Sequence, residues 1–344
     1  NTGNLVKTDY AFAGWNTNSE GSGVFYLTGE KFNIGLSDIE LFAIWDTAYM
    51  VTYNANGNNG GAVPVDENFY KEGDNFLIID NTGSLSRIGY TFSGWNTKRD
   101  GSGISLSGGT TMTMGDSDTT LYAEWEYDNS SDMFSDIDGN IYNTISIGDQ
   151  VWMVENLRTV LYNDSTLVPH VTDSLEWIEL STGAYCFYNN TTNSDTIEKF
   201  GALYNWHAVV TEKLAPKGWH VPTEEEWLIL QDYLISNGYN WDGTTEGNKI
   251  AKSMAAKTDW IPSDTEGDPG NDMQSNNSSG FSALPSGIRN PGDSNFYVFG
   301  EAVAWWSIPG TNSINTFCIY NSVPSLKIGD AIQNSGFTVR LVRD

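Results

Sequence analysis

Apolar positions along the first third of the chain recur with a period of two. Tyr10, Phe12 and Trp15, and again Tyr90, Phe92 and Trp95, alternate with or flank a glycine. Leu41, Ala43 and Trp45, like Leu121, Ala123 and Trp125, share one parity. Side chains two apart lie on one face of a strand, so both stretches predict half-buried β-strands. Met50 to Tyr53 repeats the alternation and runs into the Asn/Gly-rich stretch from Asn54 to Gly61, a turn. Further on, Ile141, Ile145, Val151, Trp152 and Met153 predict an antiparallel pair, with turns at Asp138-Gly139 and Gly148-Asp149. The period then changes. In GWHVPTEEEW, from Gly218 to Trp227, a strand end and a proline stop lead into a helix on which Trp227, Leu230 and Leu234 fall three and four apart. Thr223 is a good N-cap, Glu226 completes a capping box, and Glu224 to Glu226 complement the positive end of the helix dipole. Asn237-Gly238 stops the helix. Shorter helical stretches are expected within Phe200–Val209 and near Ile250 to Lys257, then a polar loop from Ser263 to Ser279. Strands or strand ends are expected in GFSALPSGIRN, FYVFGEAVAWWS and the terminal GFTVRLVRD.

The strand patterns of the first third are two copies of one unit. NTGNLVKTDYAFAGWNTNSEGSG from Asn1 aligns without a gap to NTGSLSRIGYTFSGWNTKRDGSG from Asn81, through to Trp45 and Trp125, with about 20 of 45 positions identical. The second copy opens at Met50, and the first lacks that opening half. An incomplete sheet exposes an edge, which a neighbouring copy could pair with. The chain starts with Asn inside a repeat, so it is expected to be a mature or trimmed piece of a longer exported protein.

Composition narrows the function. The net charge of −27 leaves no basic stripe for phosphates, which argues against nucleic acid and against an anionic membrane surface. No apolar run is long enough to insert in a membrane. The 35 glycines and abundant Asn, Ser and Thr suit short strands joined by polar turns. The two cysteines, Cys186 and Cys318, belong to no CxxC motif and are either bridged or separate buried thiols.

The first 127 residues resemble the Listeria–Bacteroides, or internalin-type B, repeat, on GYTFSGWNTKRDGSG and TLYAEW in the second copy and YAFAGWNTNSEGSG and ELFAIW in the first. That resemblance implies small β-grasp-like modules strung along bacterial surface proteins as stalks or spacers. Residues 134–344 resemble the Fibrobacter succinogenes major paralogous domain, on DIDGNIYNTISIGDQVWMVENLRT, GALYNWHAV, GWHVPTEEEW, GFSALPSGIR, AWWS and GFTVRLVRD. This implies an α+β C-type-lectin-like fold of the formylglycine-generating-enzyme group. The family's cysteine positions before GWHVP and near the terminus hold Ala215 and Leu341 here, as a lost disulfide would leave them. The expected organisation is therefore a partial β-rich repeat over 1–47, a complete one over 48–127, a linker at 128–133 and the lectin-like domain over 134–344, mainly β followed by α+β.

The resemblance also says where a ligand would sit. Lectin-like domains bind through loops near their last strands, here Trp305 to Asn334, where Trp306, Asn312, Asn315, Tyr320, Asn321 and Asn334 are the candidates. The calcium-dependent sugar motifs EPN, QPD and WND are absent. Asp136, Asp138 and Asn140 alternate like the start of a calcium loop, but Ile147 stands where its closing glutamate belongs, so calcium competes with a plain Asp-Gly turn. Catalysis finds no constellation. His170, His207 and His220 are isolated, Ser282 and Ser286 lie in no GxSxG elbow, and the two cysteines are not the copper-binding pair of formylglycine-generating enzymes. The expectation is a non-catalytic, cofactor-free surface protein that adheres to a glycan or a protein. A structural subunit of a surface assembly and a degenerate formylglycine-generating-type enzyme are the alternatives.

Overall fold

The computed structural model describes residues 5, 7, 10–128, 132–310 and 314–344. It is mainly β in the repeats and α+β after them. The chain divides into two compact units, one of residues up to Ser86 with Phe92–Trp125, the other of Arg87–Thr91 with Glu126–Asp344.

In the first unit, the first repeat is a three-stranded antiparallel sheet, β1 (Tyr10–Asn16), β2 (Phe25–Tyr26) and β3 (Phe42–Thr47), in the order β2-β1-β3. The second repeat holds β4 (Val51–Asn54), β5 (Asn75–Leu77), β6 (Tyr90–Asn96), β7 (Ser105–Leu106), β8 (Thr111–Thr113) and β9 (Thr119–Tyr127). Its main sheet runs β4-β9-β6-β7 with β4 parallel to β9, and β5 pairs β8 separately. No helix crosses this sheet among the described residues. Both copies build the same aromatic corner. Phe12 meets Trp15 and Trp45 edge-on at 5.3 and 5.7 Å, and Phe92 meets Trp95 and Trp125 at 5.3 and 5.8 Å. Both also stitch the Gly-Ser-Gly turn with one asparagine. Asn96 Oδ1 accepts from the N–H of Lys98 and Gly103, and its Nδ2 donates to the Gly101 carbonyl, as Asn16 does with Asn18, Gly23 and Gly21. A Cβ on Gly103 would meet Thr97 Oγ1 at 2.3 Å, so the loop closes only around glycine.

The second unit opens with β10 (Met133–Ser135), β11 (Ile141–Ile147) and β12 (Gln150–Met153), joined by the two expected hairpin turns. Then come α1 (Ser174–Ile178), β13 (Tyr185–Cys186), α2 (Ser194–Phe200), β14 (Leu203–Tyr204), α3 (Trp206–Val209), β15 (Trp219–His220), α4 (Glu224–Ser236) and α5 (Ala251–Met254). β16 (Ser286–Arg289), β17 (Phe296–Phe299), β18 (Ala302–Trp306), β19 (Asn315–Tyr320), β20 (Lys327–Asp330) and β21 (Val342–Arg343) finish the chain. Two five-stranded sheets result, β10-β11-β12-β21-β15 and β17-β16-β18-β19-β20.

α4 supplies the centre of the core. Its capping box is formed: Thr223 Oγ1 accepts from the Glu226 N–H at 3.2 Å, and Glu226 Oε2 accepts from the Thr223 N–H at 2.8 Å. That start aims Trp227 inward, stacked on Phe317 at 5.0 Å and 4.8 Å from Trp152, with Trp305 and Phe281 at 5.5 and 5.9 Å. Leu230 and Leu234 bury on the same face. An aromatic ladder fills another part of this unit, Tyr90 against Tyr127, Tyr127 against Trp219, and Trp219 stacked on Phe134 at 4.1 Å.

Three buried cations fasten loops without a carboxylate. Arg289 donates to the carbonyls of Val171, Thr172 and Asp173 and to Ser294 Oγ, with its guanidinium 4.3 Å from the Trp177 ring centre. Arg340 donates to the Phe281 carbonyl and to Asn156 Oδ1 between the rings of Phe281 and Trp305, and burial pulls its pKa down to about 9. The Lys252 ammonium donates to the carbonyls of Asn271 and Asp272, which gathers the polar loop around a single charge.

Candidate functional site

The candidate ligand residues do not form one surface. Trp306 is wholly buried on β18, donates from Nε1 to the Tyr204 carbonyl at 2.7 Å and packs on Trp206 and Phe337. Its place as a ligand platform is corrected: inward parity on a central strand put it in the core. Asn315 and Tyr320 stand at opposite ends of β19. Six residues of strand span roughly 17 Å, which separates them into different neighbourhoods. Tyr320 is exposed at its end, and the adjacent Asn321 donates from Nδ2 to the Ile261 carbonyl. Asn312 lies outside the described residues.

Asn334 does face a cavity. A cleft of about 560 Å³ is lined by Ile178, Leu180 and Ser181 after α1, by His207 of α3, by Pro291, and by Ile314 and residues 331–334. Its walls are tied down. Trp177 Nε1 donates to the Asn334 carbonyl at 2.7 Å, Asn334 Nδ2 donates to the Ile178 carbonyl, and the Trp206 N–H donates to the Gln333 carbonyl at 2.9 Å. The Asn334 amide is thus committed to holding α1 in place. Gln333 and Ile332 project outward beside it. The result is an apolar floor of isoleucine, leucine and proline, rimmed by Gln333, His207 and Ser181.

The acidic trio near residue 136 is built as a turn. Asp136 is buried, and its oxygens accept four hydrogen bonds: Oδ1 from the N–H of Asp138 and Asn140, Oδ2 from Asn140 Nδ2 and the Tyr142 hydroxyl. Four donors fill a carboxylate, so a calcium ion would have to displace them. The Asn140 side chain presents its N–H to Asp136 rather than its oxygen to a cation. Asp138 Oδ2 accepts from the Val160 N–H at 2.5 Å and from Thr159 Oγ1. Burial raises the Asp138 pKa to about 6. The calcium reading is therefore corrected to the Asp-Gly turn, which pins the segment after Arg158. A second cleft, about 650 Å³, opens beside it between Asp138, Arg158, Phe187 and Glu198. Among the described residues no group of three or more His, Cys, Asp or Glu is disposed to hold a metal.

Cys186 and Cys318 are both buried and unbridged, which corrects the disulfide alternative. Burial pushes the Cys186 thiol up to about 12 and also raises that of Cys318. Such thiols are poor nucleophiles and poor metal ligands. Sequence reasoning missed one ionic cluster. His220 bridges two carboxylates, Nδ1 to Asp344 Oδ1 at 2.6 Å and Nε2 to Glu226 Oε1 at 2.8 Å. The Glu226 contact, then the Asp344 contact, raise its pKa to about 9. The spacing His-x5-Glu across a capping box was the available signal for the first half; nothing local announced Asp344.

A Listeria-Bacteroides repeat domain model matches residues 1–44 and 49–124, and a Fibrobacter succinogenes major domain model matches residues 145–343. Two relatives come from Evansella cellulosilytica. One, provisionally named a Gly-rich membrane protein, is 39% identical over 36% of this chain and 15% of its own length. The other, provisionally named a membrane protein, is 38% identical over 27% of this chain and 14% of its own length. The chain thus spans about a seventh of the curated relatives it matches. No solved structure gives a significant match. No helix among the described residues is long and apolar enough to cross a membrane. The two family matches indicate a bacterial, repeat-containing, β-rich protein of the cell exterior. On the match that covers most of its second unit, the chain belongs to the Fibrobacter succinogenes major domain family, with Listeria-Bacteroides repeats ahead of that domain.

Proposed function

We propose that this is a non-catalytic surface protein that binds a partner outside the cell, with the repeats as spacer and the major domain as binding module. The observation that carries the reading is the cleft beside Asn334. It lies among the late loops of the domain, its walls are fixed by backbone hydrogen bonds, and it offers an apolar floor within a polar rim. Preformed clefts of this kind are where ligands bind most often. The floor of Ile178, Leu180, Pro291 and Ile314 contains no aromatic ring, and sugars are commonly held by stacking on one. A protein segment with an aliphatic side chain is therefore the better fit, and a glycan the second. The buried, raised thiols of Cys186 and Cys318 put the formylglycine-generating-type alternative last. The names of the Evansella cellulosilytica relatives support a membrane-associated or surface setting.

The test is binding of the whole chain to protein and glycan arrays and to intact cells, beside Ile332→Asp and Gln333→Ala. Both positions project outward and leave the core alone. Loss of binding in Ile332→Asp with an unchanged melting curve is the expected result. A confirmed ligand that both variants hold as tightly as the wild type would place binding elsewhere and sink the reading.

A further inference from the structure

The two repeats share a sequence and differ in structure at particular places. β9 begins at Thr119, but its counterpart β3 begins only at Phe42, the equivalent of Tyr122 at the offset of 80. The residues not in strand, Ile39 to Leu41, correspond to Thr119 to Leu121, which pair in parallel with Val51 to Tyr53 of β4. β8 likewise pairs with β5, whereas its counterpart, Lys31 to Asn33, lies in no strand. Side chains follow the backbone. Met114 is 2% exposed and its counterpart Ile34 is 70% exposed. Leu121, Ala123 and Trp95 are fully buried, while Leu41, Ala43 and Trp15 are only partly so. In the second repeat the segment 50–80 makes the difference. Tyr53 packs 4.7 Å from Trp95, the Ile79 carbonyl accepts from Trp95 Nε1 at 2.9 Å, and the Asn56 carbonyl accepts from Trp125 Nε1 at 3.0 Å.

We propose that the first repeat is a strand-acceptor site whose occupant is the opening half of a repeat of this class, a polypeptide with the pattern of residues 50–80. It pairs in parallel along Ile39 to Leu41, pairs again along Lys31 to Asn33, and covers Ile34 and Trp15. The occupant is specified by the second repeat, where each acceptor position has a partner in register. Main-chain hydrogen bonds supply affinity in this mode, and alternate side chains supply selectivity. Here the selecting side chains are the counterparts of Val51 and Tyr53, both buried in the second repeat.

The experiment adds a synthetic peptide of residues 48–80 to the full chain and reads hydrogen exchange. A parallel arm fuses the same segment ahead of Asn1, since in the second repeat Asp80 runs directly into Asn81. The expected result is amide exchange at least about tenfold slower at residues 31–33 and 39–41, with the second unit unchanged. A scrambled peptide and a Tyr53→Asp peptide should give no protection. Failure of both the free peptide and the fusion to protect these amides overturns the proposal. So does a concentration-dependent dimer that protects residues 39–41 without peptide, because the edge would then belong to a second copy of the chain.

Discussion

The His220 cluster ties the start of α4 to the last residues of β21 and the terminal Asp344, so its ionisation should appear in stability. The side chain is about a third exposed, at 36%, and sits between Glu226 and Asp344. A pKa moved from 6.5 to about 9 corresponds to roughly 3 kcal/mol if every unit were realised in stability. Solvent screening of a half-buried pair reduces that to about 1–2 kcal/mol. The sign follows from the direction of the shift. Folding favours the protonated ring, so the full contribution is present below the unfolded pKa of 6.5 and disappears as pH rises through about 9. Glu226 makes the companion variant informative. Glu226→Gln keeps a side chain that can complete the capping box and removes only its charge. Wild type, His220→Gln, Glu226→Gln and the double variant are compared by urea unfolding between pH 5.5 and pH 10, beside an NMR titration of the ring. The wild type should exceed His220→Gln by about 1–2 kcal/mol at pH 6, and the coupling of the two positions should shrink as pH passes 9. A ring that titrates near 6.5, or a coupling equally large at both ends of the range, would refute the reasoning.

Trp227→Ala should cost about 3–5 kcal/mol, because it empties the centre of a core in which four other aromatic rings face that side chain; differential scanning calorimetry measures it. Arg340→Ala should cost about 3–5 kcal/mol, whereas Arg340→Met should recover most of the loss, since no carboxylate partner is left behind; equal destabilisation of the two in urea would contradict this. Cys186 and Cys318 should resist a thiol reagent in the native state and react fully in urea, and intact mass should be unchanged by reduction after thiol blocking. A calcium titration followed by calorimetry should give no heat assignable to Asp136, and Asp136→Asn should lower stability with or without calcium.

Local signals carried most of the architecture. Capping box, hairpin turns and period-two strands are interactions among residues close in sequence, and each formed where its pattern stood. The repeat was legible for a further reason: identical residues make identical contacts, down to the asparagine that closes each Gly-Ser-Gly turn. Arginine was not legible in this way. Arg289 and Arg340 read as ordinary charges at strand ends, yet each is buried and held by carbonyls from distant segments, with aromatic faces on its guanidinium. Nothing in the sequence around Arg289 announces Val171. Lys252 in its loop of carbonyls is the same case.

The candidate site failed in the sequence for a related reason. Residue type marks what a side chain is able to bind, but parity on a strand and the demands of nearby backbone decide whether it is free to do so. Trp306 and Asn334 both had suitable chemistry. The strand turned Trp306 inward, and the end of α1 took the Asn334 amide. Asp136 had the right carboxylate for a cation and gave all four of its acceptor positions to its own turn. What remains at the cleft is less conspicuous in sequence: Ile332 and Gln333, set on a loop whose backbone bonds to Trp206 and Ser335 and whose side chains those bonds leave outward. Binding in this domain should therefore track side chains whose own backbone is anchored and whose polar atoms the fold has not claimed, and substitutions at Ile332 and Gln333 should alter it before any change at Trp306 or Asp136 does so without unfolding the domain.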